Sequence, residues 1–220
     1  MKEEVDAVCL DGWLTSGTDL PEIVCGEGRT RAEVVGMVEP LVQCSPNVIV
    51  TRTDVGTFGE VRNVCTEAEW HEAARLIRIW RDRKERGLGE IAVVTSQTEG
   101  VPVAEEAALI AETMGNFVQR VWDIRRTNTT EQEPLQRARV IIVVANVDEP
   151  LPAILRESAS VPVVLVPRAA GSRDLSSKSA AVANMLGSCA ANVTFVGPDR
   201  GAQAGFVAGL INRRWPLPEK

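Results

Sequence analysis

The sequence lacks any long hydrophobic run. No apolar stretch approaches the ~20 residues that a membrane-spanning helix needs, and the acidic amino-terminal stretch MKEEVD does not have the pattern of a signal peptide. These absences predict a cytoplasmic protein without a membrane partner. The 220 residues are 45% hydrophobic and 25% charged, which is ordinary for a globular chain and is enough to bury a sizeable core.

Excess positive charge and paired cysteines are also missing. The net charge is -6 at pH 7, and the one dense basic cluster, RDRKER at 81–86, is predicted to be a solvated linker. We therefore expect no nucleic-acid partner. The five cysteines are an odd number and form no CxxC pair, which argues against both a disulfide framework and a zinc site.

The second half of the chain carries repeated apolar runs that alternate with helical patterns. The runs are IAVVT, VIIVVAN, VPVVLVP and NVTFVG, and FVQRVWDI supplies a further strand. Strands without polar alternation, separated by helices, are typical of a parallel sheet that is buried on both faces. The pattern predicts a doubly wound α/β sheet of the flavodoxin-like type, in which ligands bind at the carboxyl ends of the strands.

The chain is predicted to contain two domains. Residues 1–80 form a small α+β amino-terminal domain, 81–89 a linker, and 90–220 the α/β catalytic domain. In the first domain Thr30 is expected to cap a helix over 30–43, and VIVTR is expected to be a strand. The segments 21–30 and 67–80 could be strands or a short helix.

Several helices are predicted in the second domain. One begins near Pro102, with Glu105 and Glu106 at its positive end, and stops at Gly115. Short helices are expected over QEPLQRA, over 150–158 and over 176–188, and a closing helix over 202–214.

Two loops after strands carry candidate anion-binding residues. Ser96 and Thr98 lie between the first strand and a helix amino terminus, where hydroxyl and N–H groups could cradle a phosphate. An ordinary capped turn would have the same pattern, and neither GxGxxG nor a Walker sequence is present. Arg168 and Arg173 flank Gly171 just after a later strand. Arginine can clamp a phosphate or carboxylate, although exposed loop charge is an equal alternative.

The remaining candidates are acids, a thiol and the single histidine. Asp148 and Glu149 follow the VIIVVAN strand, and these adjacent acids could serve as a general base or metal ligand, or could start a helix. Asp199 and Gly201 open the last helix, where Asp199 is more simply an N-cap. From the residues alone, Cys189 is expected to be a small buried side chain, and His71 to be structural.

These segments, taken in order, resemble a known family over nearly the whole chain. The family is that of the LarB-type carboxylase/hydrolases of nickel-pincer cofactor biosynthesis (pyridinium-3,5-biscarboxylic acid mononucleotide synthases), related to the PurE-like phosphoribosylaminoimidazole carboxylases. The resemblance rests on the following segments: PEIVCGEGRT, NVIVTR, EWHEAARL, AVVTSQTEGVPVAEEAALIAETMGN, VIIVVANVDEPLPAIL, VPVVLVP, NMLGSCA and GPDRGAQAGFVAGLINR.

The resemblance implies a substrate and a mechanism. The family carboxylates C5 of the pyridinium ring of nicotinic acid adenine dinucleotide with CO2 or bicarbonate, and it hydrolyses the phosphoanhydride to release AMP. Cys189 falls on the nucleophile and Asp148 on the base. The substrate-binding residues are then expected to be Ser96, Thr98, Arg168, Gly171, Asp199, Gly201 and His71. No resident cofactor is predicted, although a divalent metal such as Mg²⁺ could assist the hydrolysis. Related proteins are homo-oligomers, and an octamer is expected.

This sequence departs from the family's pattern at several loops, which keeps other functions open. Glu99-Gly100 stands where the family has a Ser-Asp pair, and Asp148 replaces a longer glutamate. A non-catalytic nucleotide-binding homologue is therefore one alternative. An aminoimidazole ribonucleotide carboxylase or mutase is another, but the second domain does not supply that family's active-site histidine.

Overall fold

The computed structural model describes residues 19–95, 97–122, 124, 133–146, 160–168 and 192–213. The chain divides into two units, Met1–Lys84 and Glu85–Lys220, and the division falls within the segment 81–89. Each unit has its own sheet and its own hydrophobic core. Within these described ranges, no helix is long and apolar enough to cross a membrane.

The first unit is a four-stranded mixed sheet with two helices. Its elements are β1 (Glu22–Cys25), α1 (Arg31–Cys44), β2 (Asn47–Thr51), α2 (Val55–Val64), β3 (Glu69–His71) and β4 (Leu76–Trp80). The strand order is β1-β2-β4-β3, in which β1 and β2 are parallel and β4 is antiparallel to both of its neighbours. The predicted α+β class is confirmed, and the segment 67–80 forms strands.

Local capping explains where both helices of this unit begin. Thr30 and Glu33 form a capping box at α1: the Glu33 amide donates to Thr30 Oγ1 at 3.3 Å, and the Thr30 amide donates to Glu33 Oε2 at 2.8 Å. Helix α2 was not predicted from the sequence, because Gly56 and Gly59 weaken its helical pattern. The sequence feature that indicates the start of α2 is the N-cap residue Asp54, whose carboxylate accepts a hydrogen bond from the Thr57 amide at 2.9 Å.

The second unit is the predicted doubly wound sheet. Its elements are β5 (Glu90–Thr95), a 3₁₀ turn (Thr98–Gly100), α3 (Val101–Thr113), β6 (Phe117–Val121), α4 (Glu133–Arg137), β7 (Ala138–Asn146), β8 (Val163–Arg168), β9 (Val193–Phe195) and α5 (Gly201–Asn212). All five strands are parallel in the order β6-β5-β7-β8-β9. This is the 2-1-3-4-5 order of flavodoxin-like folds, so the predicted fold class is confirmed. The helices expected over 150–158 and 176–188 lie outside the described residues.

Both faces of the parallel sheet are buried. Alternate residues of β5, such as Ile91 and Val93, pack with the alanines of α3 and α5, while Ala92 and Val94 pack on the opposite face with Leu135 of α4. Since neither face is exposed to water, the strands need no polar alternation. The continuous apolar runs in the sequence therefore follow directly from the position of these strands in the sheet.

Glu105 and Glu106 of α3 have different partners from those expected. Neither lies in the first turn of α3, so their predicted place at its positive end is wrong. Glu105 pairs with Arg120 of β6, with Nε–Oε2 at 3.0 Å, and Glu112 pairs with the same guanidinium at 2.5 Å. Burial of Arg120 disfavours its charge, but the hydrogen bonds to Glu112 and Glu105 outweigh this and raise its pKa. Glu106 is instead buried against α5.

Helices α3 and α5 touch backbone to backbone. A Cβ placed on Gly201 would overlap the Val103 carbonyl oxygen, and one on Gly205 would overlap the Ala107 carbonyl oxygen. Only glycine allows such an approach. The start of α5 is therefore held in a fixed register against α3, which matters for the residues just before it.

Candidate functional site

Three polar residues end three neighbouring strands of the parallel sheet. Thr95 ends β5, Asn146 ends β7 and Arg168 ends β8. Asn146 lies directly opposite Arg168 in the ladder between β7 and β8, while Thr95 pairs with Val144 on the other side of β7. Because all these strands are parallel, the three side chains are brought to the same edge of the sheet, which is where ligands bind in open α/β folds.

The structure brings two of the predicted binding residues together. Arg168 Nε lies 3.9 Å from Asp199 Oδ1, and the Arg168 side chain is only 14% exposed. Asp199 has a left-handed backbone with φ of 54°, and its amide donates to the Pro167 carbonyl at 3.0 Å. Arg200, and not Asp199, occupies the N-cap position of α5, so the simpler N-cap interpretation of Asp199 is wrong. The backbone of this turn is thus attached to the end of β8.

Polar atoms at this edge are buried without hydrogen bonds. Arg168 Nε and Asn146 Oδ1 are both inaccessible to water, and within the described part of the chain neither has a hydrogen-bond partner. Buried polar atoms are nearly always satisfied in proteins, so such atoms call for an explanation. A guanidinium N–H and an amide oxygen on adjacent strand ends are suited to a ligand that carries both an anionic group and a hydrogen-bond donor.

The loop after β5 leads into the 3₁₀ turn before α3. Thr98 is exposed in the 3₁₀ turn that precedes α3. Within that turn the Gly100 amide donates to the Gln97 carbonyl at 3.0 Å, and the Val101 amide donates to Thr98. These two amides are therefore used by the turn itself, and the role of Thr98 in a phosphate cradle stays a prediction.

His71 lies in the first unit, within a polar cluster on β3 and β4. Its Nε2 atom is 3.7 Å from Glu69 Oε2, and the same oxygen accepts from Arg78 Nη2 at 2.9 Å. Arg78 is buried and lies over the Trp80 ring at 4.5 Å. Burial tends to raise the pKa of Glu69, but the hydrogen bond from Arg78 outweighs this and lowers it. The role of His71 in substrate binding stays a prediction.

Replacing Glu69 by glutamine should change how stability depends on pH. Because the folded-state pKa of Glu69 is lowered, its stabilisation is full above the unfolded value of about 4.3 and is lost as pH falls through the folded value. The side chain is 44% exposed, so solvent screening limits the effect to about 1 kcal/mol. Urea unfolding at pH 7 and pH 3 should show Glu69→Gln less stable than wild type only at pH 7. An equal deficit at both pH values would contradict the prediction.

Five predicted site residues lie outside the described residues: Ser96, Asp148, Gly171, Arg173 and Cys189. Their roles stay predictions. In the part of the chain that the structure describes, no group of three His, Cys, Asp or Glu side chains could hold a metal ion. Free thiols there are Cys25, Cys44 and Cys65.

Sequence reasoning missed three residues that surround the edge. Thr95 and Asn146 were each visible as the last, polar residue of an apolar run, which is the position that places a side chain in the crevice. Glu106 gave no such signal, because its partner is the amide of Ala202, 96 positions away. Only the packing of α3 on α5 brings these two groups together.

Among the comparisons with known proteins, one concerns the first unit alone and another extends over most of the chain. Residues 3–82 match the family described as the LarB/PurE-like N-terminal domain. An uncharacterized protein of Methanocaldococcus jannaschii is 26% identical over 211 residues, which covers 88% of this chain and 79% of that protein.

A solved structure is also similar, but weakly. The metal-soaked Flv1 flavodiiron core from Synechocystis sp. PCC6803 matches at 12% identity with a TM-score of 0.35, and the similarity covers 82% of this chain and 47% of that one. The chain thus spans about half the length of this structure, and a score this low supports no argument about fold or function. The family resemblance instead rests on the amino-terminal match, in which residues 3–82 of this chain are similar to the LarB/PurE-like N-terminal domain.

Proposed function

We propose that the protein is a LarB-type carboxylase/hydrolase that acts on nicotinic acid adenine dinucleotide. The observation that carries the proposal is the match of residues 3–82 to the LarB/PurE-like N-terminal domain. The flavodoxin-like second unit supports it, because polar residues end its strands at the edge where open α/β folds bind ligands in a crevice, and Arg168 at that edge can bind an anionic group. The substrate offers a ring carboxylate and a diphosphate, both of which suit a buried guanidinium.

In this proposal the crevice binds an anionic group of the substrate through Arg168. The guanidinium is largely buried, so a charge-assisted hydrogen bond to it is stronger than one at the surface. Its Nε–H would find the partner that it lacks among the described residues. Asn146 would accept a hydrogen bond at the neighbouring position, and Asp199 would keep the Arg168 side chain oriented toward the crevice.

The chemical steps are assigned to residues outside the described ranges. A pyridinium ring is too electron-poor to attack CO2. Addition of the Cys189 thiolate to the ring breaks its aromaticity and makes C5 a nucleophilic, enamine-like carbon. C5 then forms a bond to CO2, Asp148 removes the C5 proton, and expulsion of the thiolate restores the aromatic ring. Hydrolysis of the phosphoanhydride by water releases AMP.

A magnesium ion is not needed to derive these steps. Around the crevice, the carboxylate of Asp199 faces Arg168. A carboxylate beside a guanidinium is a poor ligand for a divalent cation, which prefers several oxygen ligands. We therefore derive no step through a metal.

Incubation with nicotinic acid adenine dinucleotide and ¹³C-bicarbonate, followed by mass spectrometry, tests the proposal. The expected products are AMP and a ¹³C-labelled biscarboxylated mononucleotide. An unchanged dinucleotide in the presence of folded protein would overturn the proposal. If the dinucleotide instead raised the melting temperature without turnover, the non-catalytic nucleotide-binding alternative would be favoured.

Replacing Arg168 by alanine should weaken substrate binding. A hydrogen bond to a charged group contributes about 1.5–3 kcal/mol, so KM is expected to rise about 10- to 100-fold. The KM of Arg168→Lys should lie between those of wild type and Arg168→Ala, because lysine keeps the charge but loses the planar fork of the guanidinium. Steady-state kinetics measure both variants.

Arg137→Ala is the matched control for this substitution. Arg137 is 62% exposed and pairs with Glu90 at 2.8 Å, at the amino ends of β7 and β5. Loss of this exposed pair should leave KM unchanged. An unchanged KM in Arg168→Ala as well would remove Arg168 from the binding site.

A further inference from the structure

A buried carboxylate occupies the amino terminus of the last helix. Glu106 of α3 is 5% exposed, and its Oε2 atom accepts the Ala202 amide at 3.0 Å. A Cβ on Gly201 would lie 2.7 Å from the same oxygen, so the carboxylate lies directly against the first residue of α5. This is the position at which a helix terminus would otherwise bind an external anion.

The position of Glu106 is fixed by the packing of α3 on α5 and by the hydrogen bond at the start of α5. Its own helix contacts the α5 backbone at Gly201 and Gly205, where no side chain can be accommodated. A carboxylate is costly to bury, and the positive end of α5 together with a direct N–H bond offsets that cost. An apolar side chain would have been sufficient for packing alone, so the charge at this point needs a reason.

The turn that α5 follows carries the crevice residues. Asp199 lies two residues before Gly201, in a left-handed conformation that favours glycine. Its amide is bound to Pro167, and its carboxylate faces Arg168 at 3.9 Å. The Arg200 amide closes the turn by donating to the Gly197 carbonyl at 3.2 Å. A shift of the first turn of α5 would therefore move Asp199 and, through it, the Arg168 guanidinium.

We propose that Glu106 is a positioning residue for the substrate-binding crevice. Its carboxylate anchors the start of α5, which holds Asp199 against Arg168. Because it occupies the anion position of this helix, it also keeps the substrate's phosphate away from Gly201 and leaves that phosphate to Arg168. The proposal rests on the function proposed above, since it concerns the binding of the same substrate.

Three variants test this role through KM. Glu106→Ala removes the acceptor for the Ala202 amide and should raise KM about tenfold with a smaller change in kcat. Glu106→Gln keeps an oxygen acceptor and should restore KM to within about threefold of wild type. Glu105→Gln, which changes the adjacent carboxylate that pairs with Arg120, is the matched control and should leave KM unchanged. A lower melting temperature with unchanged KM in Glu106→Ala would overturn the proposal, because the residue would then only stabilise the fold.

A double-mutant cycle shows whether Glu106 acts through Arg168. If it does, Glu106→Ala should raise KM less than about twofold in an Arg168→Ala background, because coupled residues are not additive. Should the full tenfold increase persist in that background, the proposed route through Arg168 would be wrong.

A readout without turnover separates this proposal from the proposed function. The ¹H–¹⁵N resonance of Arg168 Nε–H and the exchange of the Ala202 amide can be measured by NMR in the free protein. Glu106→Ala should shift the Arg168 Nε–H resonance and accelerate exchange of the Ala202 amide at least tenfold. Glu105→Gln should change neither the resonance nor the exchange rate. If Glu106→Ala causes both changes in a protein that does not carboxylate the dinucleotide, the positioning role stands and only the proposed activity is refuted. Unshifted signals in Glu106→Ala would refute the positioning role whatever the activity.

Discussion

Replacing Gly205 by alanine is expected to reduce the free energy of unfolding by about 3 kcal/mol. The added Cβ would overlap the Ala107 carbonyl oxygen and lie 3.0 Å from the Ala107 carbonyl carbon. Both are backbone atoms of α3, and they cannot move aside as a side chain can. The alanines of α3 in turn pack on the sheet, so separating the helices would open gaps in a close-packed core.

A second glycine on α5 provides the matched control for this substitution. A Cβ on Gly209 would meet the Met114 sulfur and methyl group, which are the flexible end of a side chain, and Gly209→Ala should cost about 1 kcal/mol or less. Gly36 in α1 has nothing within 4 Å of its Cβ position, so Gly36→Ala should stabilise the protein by about 0.5–1 kcal/mol.

Chemical denaturation of the three glycine variants measures the order of these effects. If Gly205→Ala were as stable as Gly209→Ala, the two helices could separate freely and the register of α5 would not be fixed by backbone contact. That result would also weaken the positioning role assigned to Glu106, because that role depends on a rigid start of α5.

Replacing Cys189 by alanine is expected to abolish carboxylation. Without a thiolate the pyridinium ring stays electron-poor, and the C5 carbon cannot attack CO2. We expect kcat/KM to fall on the order of 10³-fold or more, as for other nucleophiles on which a whole mechanism depends. Incorporation of ¹³C from labelled bicarbonate measures the loss, and a dinucleotide-induced rise in melting temperature should persist because binding does not need the thiol.

Cys44→Ala serves as the control for this variant. Cys44 is an exposed free thiol at the end of α1, so its removal should leave carboxylation unchanged. If Cys189→Ala retained full activity, the nucleophile assignment would be wrong, although the carboxylase function could stand. Asp148→Asn separates the steps further, because a lost base should slow the removal of the C5 proton and leave the thiolate addition intact.

Local sequence features predicted much of the fold. The unbroken apolar runs placed the strands β5, β7, β8 and β9, and the capping pair Thr30 and Glu33 placed the start of α1. The glycine at position 115 also predicted where α3 stops. In the structure this residue has a φ of 84°, which glycine adopts readily. Each of these signals lies within a few positions of the structure that it specifies, so the residues alone carry it.

The candidate site was predictable only in part. Arg168 and Asp199 could be recognised as loop residues after strands, but not as a pair, because they are separated by 31 positions and meet only where the loop between β9 and α5 contacts the end of β8. The positions of Glu105 and Glu106 were misjudged, since a carboxylate early in a helix is expected to interact with its own helix terminus. Their actual partners, Arg120 and Ala202, belong to other elements.

The sequence by itself determined the parallel, doubly wound sheet and the edge at which a ligand should bind. Hydrophobic periodicity and capping act over short distances, and strand direction follows from the alternation of strands and helices. Only the tertiary structure decided which polar groups meet at that edge. Asn146 and Arg168 become neighbours through strand register, and Glu106 reaches Ala202 because two glycines let α3 and α5 touch. Such contacts depend on the packing of distant segments, which no local pattern encodes.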